Sequence, residues 1–184
     1  MKKSKKLKIL KKSCGTYEYC EFDFKYCANA VYYYVLDFNE KLCLCACEDD
    51  FILDGFEICR LRDAERVELV SNVTVEINKQ NNILEGFEMP VLDISSWKAT
   101  FESLAETDFF VIVRNDYSGF FRIGKIKKVK KSGVVFRSFD GDGVWQPKIK
   151  IPFSDITSVQ FGDRYSTYWK KYIDGLKKPG HNRI

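Results

Sequence analysis

The chain has 184 residues, 45% of them apolar and 15% aromatic, which is enough apolar surface for a packed core and excludes disorder over most of its length. Thirty Lys and Arg oppose 26 Asp and Glu for a net charge of +4, but seven lysines (Lys2, Lys3, Lys5, Lys6, Lys8, Lys11 and Lys12) precede residue 13, so the remainder carries −3. No run approaches the roughly 18 consecutive apolar residues that span a bilayer, and no apolar segment follows the lysine-rich start, so a membrane helix and a secretory signal are excluded and a cytoplasmic protein is expected.

Residues 1–14 read as a solvated, disordered basic tail that is free to graze an acidic membrane surface or a nucleic acid. Beyond it, residues 13–92 hold 6 basic and 16 acidic groups, whereas 93–184 hold 17 and 10. An acidic half followed by a basic half fits two surfaces with different partners, two domains that attract each other, or charges scattered over solvated faces. Seven cysteines (Cys14, Cys20, Cys27, Cys43, Cys45, Cys47 and Cys59) fall in the first third, in an odd number and without the spacing of a disulfide framework. Within Cys43-Leu-Cys45-Ala-Cys47, alternate strand residues stand about 6.5–7 Å apart, so three thiolates cannot share one tetrahedral ion, and two converge only if the strand bends. Small buried hydrophobes are expected there, with no metal and no cofactor.

A helix is predicted over residues 95–107, where Trp97, Phe101, Leu104 and Ala105 share one face and a serine is available as N-cap. Five short strands follow: Phe109 to Val113, Gly119 to Val129, Gly133 to Phe139, Lys148 to Ile151 and Ile156 to Phe161, separated by turn-forming segments such as Asp140-Gly-Asp-Gly143. Next, Tyr165, Tyr168, Trp169, Tyr172 and Ile173 repeat at helical spacing between a capping Asp163 and Gly175, which predicts a second amphipathic helix packed beside the sheet.

The first half echoes this order 92 residues earlier. Leu61 to Leu69 matches Phe153 to Phe161 in a pattern of apolar, x, Asp, three residues, Val, x, apolar, and Leu42 to Cys47 falls opposite Val134 to Phe139. In this arrangement Asp63 and Asp155 are turn residues that start the last strand of each half. The loop pair Glu48 to Glu57 against Asp140 to Ile149 is the weakest stretch.

Catalytic signatures are sparse. The single histidine, His181, stands in the C-terminal tail (177–184), where a general base cannot be held within the reach that proton transfer needs. The chain has no phosphate-binding glycine loop, and Asp140-Gly-Asp142-Gly143 lacks calcium ligands at its fifth and twelfth positions, Val144 and Ile151. The expectation is therefore a protein that is not an enzyme. The best candidate binding surface is basic: Arg122, Lys125, Lys127, Lys128, Lys130 and Lys131, with Phe120, Phe121 and Trp145 as stacking faces for single-stranded bases. The competing reading is that the lysines blunt a strand edge and the aromatics fill the core.

The second half resembles the Sm-like fold, a helix followed by five strongly bent strands with a glycine in the second. Arg122-Ile-Gly124-Lys-Ile-Lys-Lys-Val129 is similar to the family's first-motif strand, and Phe153 to Phe161 to its closing strand. The chain as a whole also resembles small bacterial proteins with paired barrels of this kind. The resemblance implies a non-catalytic binding module that assembles through strand edges. The family's Asp-x-x-Met-Asn loop is replaced by Lys130-Lys-Ser132, and its Arg-Gly is missing from Lys148 to Pro152, so the fold is carried over and the RNA pocket is not.

The expected architecture is mainly β: a first, acidic Sm-like five-stranded barrel over 15–92 and a second, basic one over 93–176, with amphipathic helices before and after the second. The expected function is binding of a protein partner, of immunity or regulatory type, with homo-oligomerisation open through strand edges. The alternative is binding of RNA or single-stranded nucleic acid by the basic barrel.

Overall fold

The computed structural model describes residues 1–14, 16, 18–85 and 88–176, so His181 and the expected C-terminal tail lie outside the described residues. In chain order the elements are α1 (Lys3–Ser13), β1 (Tyr19–Phe24), β2 (Val31–Phe38), β3 (Leu42–Asp49), β4 (Ile52–Arg60), β5 (Ala64–Leu69), α2 (Val73–Gln80), α3 (Trp97–Ala105), β6 (Val111–Asn115), β7 (Phe120–Lys130), β8 (Gly133–Ser138), β9 (Ile149–Pro152), β10 (Ser158–Phe161) and α4 (Arg164–Gly175). All ten strands form one antiparallel sheet in the order β5-β1-β2-β3-β4-β10-β6-β7-β8-β9.

This arrangement corrects the expectation of two five-stranded barrels. The sheet is open, and the strand that was to close the second barrel, β10, lies between β4 and β6 instead. An unpaired edge of the first half is thus satisfied by a strand of the second half, so neither set of five closes on itself. Each half nevertheless uses the same order, its fifth strand beside its first and then the second, third and fourth. Shifted back by 92, β6 to β10 fall at 19–23, 28–38, 41–46, 57–60 and 66–69, close to the bounds of β1 to β5. The loop pair named above is where they diverge: a tight hairpin joins β3 to β4, while residues 139–148 run irregularly before β9.

The alternation of side chains gives the sheet two buried faces. On one face, Tyr34, Leu44, Ile58, Val159, Val113 and Phe136 form a core continuous across both halves, covered by α2 and by Trp97, Phe101 and Leu104 of α3. Ser96 caps α3 by accepting from the Ala99 amide, as its position predicted, but Ala105 points to solvent. Helix α2 was not anticipated, because its β-branched Val73, Thr74, Val75 and Ile77 carry strand propensity; Asn72, accepting from the Val75 amide, caps its start.

The opposite face is covered by α1 over the first half and α4 over the second. The lysine-rich start is therefore a docked helix, which corrects the expectation of a disordered tail. Leu10 is fully buried against Phe22, Val35 and Cys43, and the buried Lys6 ammonium donates to the carbonyls of Leu61 and Ala64 at 3.0 and 2.6 Å. Lys3 pairs with Glu40 at 2.8 Å, so part of the tail's charge is held by the acidic half. Under α4, Phe110, Ile112, Ile123, Phe139 and Ile173 form a smaller cluster with Trp145 and Trp169.

Gly124 lies where β7 passes closest to β8. A Cβ added there would overlap the Arg137 carbonyl oxygen and stand 2.8 Å from the Ser138 Cα, both backbone atoms that cannot swing away. Gly124→Ala is therefore expected to cost about 3 kcal/mol through overpacking, measured as a lowered urea midpoint with an unchanged slope. Gly141→Ala, which meets nothing within 4 Å, serves as the comparison.

Candidate functional site

The register of the second half sorts the basic residues by face. Lys125 pairs with Arg137, Lys128 with Val135, Val135 with Lys150, and Lys130 with Gly133, all on the face that carries Ile123. An irregularity between Ile126 and Lys128 sets Lys127 and Lys128 together opposite Val135, and Lys131 follows in the turn. Five of the six basic residues expected at the site, Lys125, Lys127, Lys128, Lys130 and Lys131, are thus gathered on one hairpin. Lys128 and Lys150 flank Val135 from strands about 10 Å apart, and Lys128 and Lys130 stand about 6.5–7 Å apart along β7. Lys148 and Lys150, exposed on and before β9, extend the field together with Arg137.

Two expected members do not belong. Arg122 pairs with Val113 and so projects to the other face, with its guanidinium 4.9 Å from the Phe120 ring centre. Trp145 is no stacking platform: its ring meets Phe110 at 5.9 Å and Phe139 at 5.6 Å edge-on, and Arg137 covers it at 5.3 Å. Lys125 is likewise occupied, 5.2 Å from the Phe110 ring and 3.8 Å from an Asp108 oxygen. By contrast, Lys127, Lys128, Lys130, Lys131, Lys148 and Lys150 have no carboxylate within 4.0 Å among the described residues. No acidic residue occurs from Tyr117 to Phe139, so that stretch carries no acid of its own, and among the described residues Asp108 reaches Lys125 alone of its lysines.

A second polar cluster, which the sequence did not single out, lies at the seam between the halves. Glu57 of β4 and Arg114 of β6 flank β10, with Glu57 Oε2 3.5 Å from Arg114 Nη1 and Arg114 Nη2 donating to Gln160. Burial raises the Glu57 carboxyl to about 7 despite the opposing pull of Arg114; Glu57 is only 6% exposed. A carboxyl with that affinity suits proton transfer, but so deep a position keeps substrates from its oxygens, and the pair acts as a buried crosslink between β4 and β6.

Four of the seven cysteines behave as core, whereas Cys27 is exposed and Cys14 and Cys47 are half-buried. Cys20, Cys43, Cys45 and Cys59 are buried beneath α1, and burial pushes the Cys20 thiol up to about 11. The Cys43 and Cys45 sulfurs lean together to 3.5 Å, closer than a flat strand allows. Among the described residues no group of three or more His, Cys, Asp or Glu is arranged to hold a metal ion, and no helix is long and apolar enough to cross a membrane.

No family model, no curated protein and no solved structure matches the chain. The geometry above therefore carries the functional reading.

Proposed function

We propose that this protein is a non-catalytic binder of nucleic acid that holds the phosphate backbone on the lysine field of β7, β8 and β9. The observation that carries this reading is the set of six exposed lysines on one sheet corner without acidic partners among the described residues. Each phosphate neutralised by a lysine releases counterions, so such a field is worth most against a polyanion with regularly spaced charge. Lysine supplies point charge, not the planar fork that reads bases, and Trp145 is packed away, so these contacts position a backbone without reading sequence.

A protein partner taken up by strand addition has less support. At the β5 edge the Glu65 carbonyl accepts from the N-terminal ammonium and the Ala64 carbonyl from Lys6. At the other edge, β9 is four residues long, contains Lys150 and ends in Pro152, features that discourage pairing. The acidic and basic halves, expected to attract partners or each other, are joined within one sheet.

The test is a salt titration of a fluorescent 12-nucleotide RNA read by anisotropy. With about six lysine contacts, affinity is expected to fall by about 300-fold between 50 and 200 mM salt. The double variant Lys128→Glu with Lys150→Glu should weaken binding at least tenfold and flatten that dependence. Affinity indifferent to salt, or unchanged in the double variant, rejects the proposal.

A further inference from the structure

We infer that the start of α1, the residue after β1 and the turn between β4 and β5 together form a binding site for a phosphate monoester, independent of the lysine field at the opposite end of the sheet. Lys3 and Lys6 of α1, Lys25 after β1 and Arg62 of the β4–β5 turn line one cavity of about 480 Å³, with Glu65 as the acidic residue on its wall. Three segments distant in sequence thus bring four cations around one space.

Most of that charge is unanswered within the protein. Lys3 is held by Glu40 at 2.8 Å, but Lys6 and Lys25 have no carboxylate within 4.0 Å among the described residues. Arg62 comes no nearer than 3.9 Å to Asp63, whose carboxylate already takes Arg60 at 2.6 Å. Glu65 is exposed and forms no ion pair among the described residues, although it shares the cavity wall with four cations. Lys6 is 8% exposed and donates to the carbonyls of Leu61 and Ala64, dipoles that orient the ammonium without cancelling its charge, and one of its three hydrogens remains. Burial and then the charge of Lys25 press this ammonium towards its neutral form, against the opposing pull of Asp63. The first turn of α1 adds lysines and no acid, the sign that a helix dipole disfavours there. An anion seated among these groups relieves their repulsion.

The number and kind of donors select the class of anion. A phosphate monoester carries close to two negative charges and three strong acceptor oxygens. Lys6 and Lys25 can each take one oxygen as point charges, and the Arg62 fork can bridge two. A carboxylate, with one charge and two coplanar oxygens, would satisfy the fork alone and leave the ammonium groups facing each other. The cavity is larger than a bare phosphate, which leaves room for the organic part of an ester.

The test is a titration of the full chain with phenyl phosphate at pH 7.5 and constant ionic strength, followed by phosphorus NMR. Saturation with a Kd of about 1 mM is expected, and phenyl sulfate, of the same shape with one charge, should bind at least tenfold more weakly. Arg62→Ala and Lys25→Ala, both at exposed positions, should each weaken phenyl phosphate about tenfold with the urea midpoint unchanged, whereas Lys8→Ala, exposed on α1 away from the cavity, should alter nothing. No saturation up to about 20 mM, equal affinity for the sulfate, or parental affinity in both variants overturns the inference. So does binding that is lost in Lys128→Glu with Lys150→Glu, which would place the phosphate on the lysine field. Competition separates two sources of the group. Displacement of phenyl phosphate by an RNA carrying a 5′-phosphate, and not by its 5′-hydroxyl form, makes the ligand a chain end, displacement by neither makes it a free small molecule, and either result upholds the site.

Discussion

Glu57→Gln is expected to abolish a loss of stability that the parent protein undergoes as the pH rises from about 4.5 to 7. The ordinary carboxyl value of 4.5 is raised to about 7 in the folded chain, chiefly by burial. The folded state therefore holds its proton more tightly than the unfolded state does. The associated stability is fully present below the unfolded value and is lost as the pH climbs through the folded one, a difference of about 3 kcal/mol. The groups around Glu57 are Arg114 on β6, which favours the charged form, Cys59 on β4 and Asp116 after β6, which oppose it, and Ser158 on β10, which favours it. Glutamine has the shape of the neutral carboxyl and cannot titrate. The unfolding free energy from urea titrations should fall between pH 5 and pH 8 by about 2.5 kcal/mol more in the parent than in Glu57→Gln. Parallel pH profiles would show that Glu57 is charged throughout, with Arg114 outweighing burial.

Asp63→Ala is expected to be more damaging at every pH above the carboxylate range. Asp63 and Arg60 form a buried pair, Asp63 Oδ2 to Arg60 Nε at 2.6 Å, with side chains 5 and 9% exposed. Arg60 also crosses the seam, donating from Nη1 to the Ser154 carbonyl at 2.8 Å, while the Tyr117 hydroxyl donates to Asp63 Oδ1 at 3.2 Å. Removing the carboxylate leaves a guanidinium enclosed without its counter-charge, which costs about 3–5 kcal/mol. Asp155, its counterpart 92 residues on, is exposed and among the described residues accepts only from the adjacent Ser154, so Asp155→Ala should cost less than about 0.5 kcal/mol. Replacing both members of the pair, Arg60→Met with Asp63→Leu, should recover much of the loss, since no charge is then left unpaired. Equal effects of the two aspartate variants would mean that both act only as turn residues.

The difference between these aspartates illustrates what was legible in the chain. Their common turn position could be read from the pattern of apolar residues, but the ion pair of one and the exposure of the other could not, because Arg60 meets Ser154 only after β4 has paired with β10. The lysine field was partly legible for the same reason. Lys125 to Lys131 stood out as a run, whereas Lys148 and Lys150 joined it only through the pairing of β9 with β8. Arg122 and Trp145 lie apart from the field because nearness in sequence does not say which face of a strand a residue takes, or what packs on it, once a neighbour is paired. Helix α4 was legible from its spacing, but which flank it buries was not, because two adjacent stripes share the 3.6-residue period, and packing against Phe139 selected the one with Trp169 and Ile173.

By itself, the sequence determined the local features: the strands of the second half, the two capped helices around them, the basic stretch with no acid from Tyr117 to Phe139, and the 92-residue offset that relates the strand bounds. These follow from short-range periodicity and backbone preference, which act within a few residues. Only the tertiary structure decided that β10 would bridge to β4 and leave an open sheet of ten strands, that the lysine-rich start would dock as a helix, and that Glu57 would face Arg114 across the seam. Those outcomes depend on burial and charge pairing between residues far apart in the chain, whose energies appear only when the strands meet.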